Sequence, residues 1–119
     1  TQLYGSISIE IPSSSNHLDI IQNLKTLNIY PNPYFSTSDK SNKIHINFNL
    51  KKPASVKISI FNLKGQLVNE IFEQNLKSGE HKITWNLKNN QTKTVSKGIY
   101  FMKINLNKEA AVRKFLILN

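Results

Sequence analysis

The sequence predicts an all-β fold built from two layers of antiparallel strands. Three observations predict it. From residue 43 onward, apolar and polar residues alternate with a period of two in one segment after another. Polar clusters, most of them carrying Gly or Pro, separate those segments at short intervals. No segment after residue 43 shows the 3.6-residue apolar period of an amphipathic helix.

Each element follows from its own residues. Leu3, Ile7, Ile9 and Ile11 share one side of residues 2–11, with polar residues and Tyr4 on the other, which reads as a half-buried strand. Pro12, Ser13, Ser14, Ser15 and Asn16 break that strand and read as a flexible linker. Residues 18–24 fit a short helix or an extended connector equally well. Leu27, Ile29 and Tyr30 begin the next strand, and Tyr30-Pro31-Asn32-Pro33 ends it. Proline fixes its own φ, lacks a backbone donor, and pushes its predecessor toward extended geometry. The stretch is therefore stiff, poor at ladder pairing, and suited to setting how the chain enters the domain.

The regular part starts at residue 43. Ile44, Ile46, Phe48 and Leu50 alternate with polar residues as a strand with one buried face. After the turn at residues 51–55, Val56, Ile58 and Ile60 repeat the pattern. Asn62-Leu63-Lys64-Gly65 is the next turn, with Gly65 suited to positive φ. The return strand over residues 67–74 is apolar on both sides. A turn at 77–80 leads to His81, Ile83, Trp85 and Leu87 on one parity. Residues 88–97 form a polar loop, 99–106 a strand, 107–109 its turn and 110–118 the last strand. About seven short strands with polar turns favour an immunoglobulin-like antiparallel β-sandwich, with Trp85 filling the space between its sheets. The last strand, if it lies at a sheet edge, offers a pairing surface unless Arg113 and Lys114 protect it.

Composition narrows the chemistry. Without cysteine there is no disulfide framework, no thiol nucleophile and no Cys-based zinc site. No apolar run has the roughly 18 residues that a membrane span needs. No basic-then-apolar leader follows Thr1, and the lack of an initiator Met is read as a fragment of something longer, although a trimmed terminus would look the same. Residues 1–24 carry Glu10 and Asp19 and no Lys or Arg, a net −2. Residues 25–119 carry all 16 Lys and Arg against five acids, a net +11. This step divides the chain into residues 1–24, the end of an upstream region plus linker, and residues 25–119, the β-sandwich domain.

Four stretches in this order resemble a known family. They are the Leu27-Asn28-Ile29-Tyr30-Pro31-Asn32-Pro33 opening; the Asn62-Leu63-Lys64-Gly65-Gln66-Leu67-Val68 turn; the strand Lys97-Gly98-Ile99-Tyr100-Phe101-Met102-Lys103-Ile104; and the closing Val112-Arg113-Lys114-Phe115-Leu116-Ile117. Together they resemble the C-terminal sorting domain of type IX secretion substrates in Bacteroidota, the type A or Por secretion tail family. Ser78-Gly79 with Trp85 also looks like the immunoglobulin-like domain of flagellar hook-capping proteins. The resemblance covers residues 27–119; the loop at 88–95 departs from it by lacking a glycine.

The resemblance implies a non-catalytic address tag on an N-terminally attached cargo. The cargo passes through the periplasm and ends at the cell surface or outside the cell. The implied partners are an outer-membrane shuttle protein, the type IX translocon and a cell-surface sortase. The recognised surface is expected on Val112, Arg113, Lys114, Phe115, Leu116, Ile117 and Leu118, and on the loops at Gly65, Gly98 and Tyr100. Tyr30, Pro31, Asn32 and Pro33 brace the entry of the chain. Cleavage is expected in the linker at Ser13, Ser14, Ser15 and Asn16, ahead of the prolines.

Other chemistries fare worse. His17, His45 and His81 are far apart, with no further ligands at metal-binding spacing, so no metal or cofactor is expected. Asp39, Glu70, Glu73, Glu80 and Glu109 form no catalytic pair, and no nucleophile motif or phosphate-binding loop occurs, so the domain is not read as an enzyme. The lysines read as a solvated face: with one Arg and aromatics mostly on the core parity, nucleic acid is not expected. The competing class is an immunoglobulin-like spacer or glycan-binding module, with Tyr34, Phe35 or Tyr100 stacking on sugar rings.

Overall fold

The computed structural model describes residues 22–119, all of them in strands, turns and loops. Eight strands form two sheets packed face to face. They are β1 (Leu24–Tyr30), β2 (Tyr34–Phe35), β3 (Ile44–Leu50), β4 (Ala54–Asn62), β5 (Leu67–Leu76), β6 (Gly79–Trp85), β7 (Gly98–Leu106) and β8 (Glu109–Leu118). One sheet has the order β1-β3-β6 and the other β2-β8-β7-β4-β5. The expected strand at residues 2–11 and the linker at Ser13–Asn16 lie outside the described residues.

Alternation does what it predicts on β3, where Ile44, Ile46, Phe48 and Leu50 are all buried between half-exposed neighbours. Val56, Ile58 and Ile60 of β4 and Met102, Ile104 and Leu106 of β7 face them from the other sheet. Trp85 is 2 % exposed, edge-on to both Tyr100 and Phe115, and donates from Nε1 to the Lys88 carbonyl at 2.9 Å. The β4–β5 register slips between Ile58 and Ser59 and again between Ile60 and Phe61. Such bulges shift side-chain parity. They let Val68, Ile71 and Phe72 all pack on the core, which explains why β5 looks apolar on both sides in sequence.

Two elements differ from expectation. The eighth strand, β2, is too short to show a period and is fixed by long-range parallel pairing with β8, Tyr34 to Ile117 and Phe35 to Leu118. The loop after Trp85 solves its turn without glycine. The Asn89 side chain accepts from the Gln91 and Lys93 amides, while Thr92 takes φ = 63°. A β-branched residue in the left-handed region is disfavoured by about 1–2 kcal/mol. Thr92→Gly is therefore expected to raise stability by about 1 kcal/mol, after the unfolded-state entropy of glycine offsets part of the gain. A shift of the urea midpoint to higher concentration at unchanged slope checks this; a lower midpoint contradicts it.

Candidate functional site

The proline stretch is the crossing between the two sheets. β1 ends at Tyr30 in one sheet, and by Tyr34 the chain has joined the other. Both X–Pro bonds, Tyr30–Pro31 and Asn32–Pro33, are cis. Tyr30 stays 44 % exposed on the outside of its sheet, stacked on His45, and its hydroxyl accepts from Asn47 Nδ2 at 3.0 Å. Asn32 points to the last strand. Its Oδ1 accepts from the Leu116 amide at 3.0 Å, and its Nδ2 donates to the Lys114 carbonyl at 3.3 Å. One side-chain amide thus does for β8 what a neighbouring strand would do.

Beyond Asn32, β2 continues the same edge, and the Ser36 amide donates to the Leu118 carbonyl at 2.8 Å. In an antiparallel ladder alternate residues turn both backbone groups away from the partner. Lys114, Leu116 and Leu118 are such residues with respect to β7, and so are Val112 and Ala110. Arg113 has the inward parity of Phe115 and Ile117, yet it curls back so that Nη1 donates to the Val112 carbonyl at 3.2 Å. A charged residue at an inward edge position blunts strand-to-strand pairing. The expectation of an exposed terminal strand is corrected accordingly. Arg113 protects the edge as the sequence allowed, Lys114 does so only through its backbone, and from 114 to 118 the edge is already covered. Asn32→Ala is expected to cost about 1–2 kcal/mol for two lost hydrogen bonds and to speed hydrogen exchange at the Leu116 amide. Unchanged exchange there contradicts the bracing role.

Asp39, which follows β2, has its carboxyl held below the usual range by hydrogen bonds from the Ser41 hydroxyl and amide. Burial raises the Tyr34 phenol above its ordinary value, and Asp39 adds to the effect. On the outer face of the five-stranded sheet the Glu70 carboxylate bonds Lys57 Nζ at 2.9 Å and raises its pKa. The pair is largely solvated and contributes little to stability.

The predicted recognition residues separate by depth. Tyr100, Phe115 and Ile117 are buried, Tyr100 with its hydroxyl donating to the Ser96 carbonyl at 2.6 Å and its ring stacked on Phe115. They shape the surface from beneath and do not present themselves on it. The same depth removes Tyr34 and Tyr100, 1 % and 6 % exposed, from the glycan reading and leaves it Phe35 at 43 %. Gly65 takes φ = 84° in a turn that Asn62 Oδ1 closes by accepting from the Lys64 and Gln66 amides. His81 Nε2 donates to the Lys77 carbonyl at 2.7 Å, and its ring lies against Phe48. It is structural. His45 is held against Tyr30, and no cluster among the described residues could hold a metal ion.

What the fold assembles was not visible in the sequence. Leu116 and Leu118 of β8, Ile99 and Phe101 of β7, Phe61 of β4 and Leu67 of β5 all point outward from the five-stranded sheet, toward the end where the proline stretch joins it. Their registers place them side by side: Leu116 with Ile99, Phe101 with Phe61, and Phe61 with Leu67. Phe61 and Phe101 form a small second core on this outer face, with Ile99 and Val112 packed against it. Phe35, Leu63 and Leu67 border it and are 43 %, 50 % and 43 % exposed. The signal for this face was the broken alternation in Ile60-Phe61 and Ile99-Tyr100-Phe101-Met102, where both parities are apolar.

The chain is thus an all-β sandwich whose turn, penultimate strand and last strand meet at one outward apolar patch. The model of the family described as "Secretion system C-terminal sorting domain" matches residues 28–118. The chain belongs to this family. No curated protein sequence matches it. Among solved structures it resembles dimeric latent PorU from Porphyromonas gingivalis, with TM-score 0.61 and 15 % identity over 77 % of this chain and 9 % of that one. It also resembles PorZ, an essential bacterial surface component of the type-IX secretion system of the same organism, with TM-score 0.53 and 18 % identity over 90 % and 12 % of the two chains. The third is FLGD from P. aeruginosa, with TM-score 0.52 and 19 % identity over 66 % and 64 %. The chain thus spans about a tenth of the length of PorU and PorZ. At these identities the likeness is one of fold.

Proposed function

We propose that residues 25–119 are a non-catalytic C-terminal signal that directs an N-terminally attached cargo through the outer membrane by type IX secretion. The family match over residues 28–118 carries this reading. The convergence of the Gly65 turn, the strand after Gly98 and the last strand on one outer face supports it. In this reading an outer-membrane shuttle protein and the translocon bind that face, while the domain passes from the periplasm to the cell surface. Residues 1–24 are the end of the cargo region and its linker. A cell-surface sortase cuts within the linker at Ser13–Asn16 and anchors or releases the cargo, because a serine-rich polar sequence ahead of a stiff entry suits a protease.

The test is a fusion of residues 12–119 behind a fluorescent reporter with an inner-membrane signal peptide, in a type IX-competent host. Reporter outside the cell only when the translocon is present is the expected result, and the mass of the released reporter places the cut. Periplasmic retention of a folded fusion sinks the proposal. Within the same assay Leu116→Ser with Leu67→Ser, both on the outer face, is expected to lower export at least tenfold while leaving the domain folded. Unimpaired export would remove the outer face from the recognition surface.

A further inference from the structure

The outer apolar patch has a charged frame that the export reading does not use. Lys64 stands on the turn beside Leu63, Lys97 precedes Gly98, Lys114 neighbours Phe101 across the β7–β8 ladder, and Lys103 follows Phe101 by one outward position. None of these four ammonium groups has an anionic partner among the described residues, because the one ion pair on this face joins Lys57 to Glu70. Between Leu67, Phe61, Lys57, Glu70, Glu73 and Lys103 the surface dips into a shallow groove, apolar at its Phe61 and Leu67 end and polar beyond. An apolar floor, a shallow groove and an unpaired cationic frame together define a complement.

Resting on the reading of this face as the export contact, we infer that the partner presents an acidic protein surface with an apolar centre: an aliphatic or aromatic side chain for the patch of Phe61, Phe101 and Leu67, ringed by carboxylates that meet Lys64, Lys97, Lys103 and Lys114. Charge complementarity supplies specificity and speeds encounter, and the apolar centre supplies affinity. A second copy of this chain does not fit, because it carries +9 overall and the same four lysines. A lipid surface is the competing occupant, since Leu63 and Leu67 stand 50 % and 43 % exposed beside the flatter Phe61 and Phe101, and vesicle binding separates the two.

Two charge reversals of equal size on opposite faces test this. In the reporter fusion, K64E/K97E/K103E/K114E changes the patch, and K25E/K43E/K51E/K82E changes lysines remote from it. Circular dichroism and the urea midpoint of each purified chain establish folding. A third variant, K64Q/K97Q/K103Q/K114Q, removes the frame without adding repulsion and serves where the reversal unfolds the domain. The expected result is export at wild-type level for the remote variant, at least tenfold loss for the patch reversal, and a smaller loss for the glutamine variant. Equal export by patch and remote variants, with the wild type exported, overturns the acidic partner and leaves the sorting reading intact. Retention of the wild type overturns both. Co-sedimentation of the chain with phosphatidylglycerol vesicles, lost in the patch variants alone, would replace the protein partner with a membrane and overturn the inference.

Discussion

Trp85→Ala is expected to lower stability by about 3–5 kcal/mol, the usual range for removing a large buried aromatic. The side chain sits at the end of β6 where the two sheets meet, edge-on to Tyr100 at 6.5 Å and to Phe115 at 6.1 Å between ring centroids. Each such aromatic pair adds about 0.5–1.5 kcal/mol beyond burial. The indole N–H also ties the core to the loop after β6 through the Lys88 carbonyl. Against a total of about 5–15 kcal/mol for a typical domain, the loss is at least about a fifth of the margin. Trp85→Phe separates the contributions. It keeps a ring in the core but removes one of the two donors to the Lys88 carbonyl, leaving Asn69 Nδ2 at 3.0 Å, so it is expected to cost less than alanine and to loosen residues 88–95. Urea unfolding followed by far-ultraviolet circular dichroism measures both; a Trp85→Ala loss below about 1 kcal/mol would contradict the central position of this ring.

Deleting residues 112–119 is expected to abolish cooperative folding. The deletion removes Phe115 and Ile117, 1 % and 3 % exposed, from the core and strips β7 of the partner along most of its length. It also leaves β2 nothing to pair with, since Tyr34 and Phe35 pair with Ile117 and Leu118. Two buried side chains at about 1.5–3 kcal/mol each, with the ladder that positions them, approach the whole stability of a domain this size. The deleted chain should show no sigmoidal urea transition and poorly dispersed amide resonances. A cooperative transition within about 2 kcal/mol of the full chain would refute this. The physical consequence reaches the export assay: loss of secretion on truncation reports unfolding as much as recognition. Leu116→Ser, which alters the outer face and leaves the inward parity of β8 alone, is the cleaner probe.

The sandwich was legible because each strand advertises its buried face locally. Ile44 to Leu50 and Val56 to Ile60 alternate, the turns between them are polar, and Trp85 falls on the inward parity of β6. Where alternation failed, local reading lost the geometry. The bulges opposite Ile58–Ser59 and Ile60–Phe61 came from register, and β2 came from pairing with residues more than 80 positions away. Thr92 at positive φ was invisible because its propensity argues against that conformation, and the Asn89 side chain holds the loop there.

By itself the sequence determined the β class, the positions of seven of the eight described strands, the charge step near residue 25 and the ordered motifs of the sorting-domain family. All of these are local or nearly local properties, written in side-chain period, turn chemistry and residue order. The tertiary structure alone decided that Asn32 braces Lys114 and Leu116, and that Arg113 curls onto its own strand edge. It also decided that Leu67, Phe61, Ile99, Phe101 and Leu116 form one outward patch framed by unpaired lysines. The physical reason is that a period of two tells which face of a strand a residue occupies, but not which strands lie beside it. Neighbourhood is set by sheet order and register, and those emerge only when the whole core is packed.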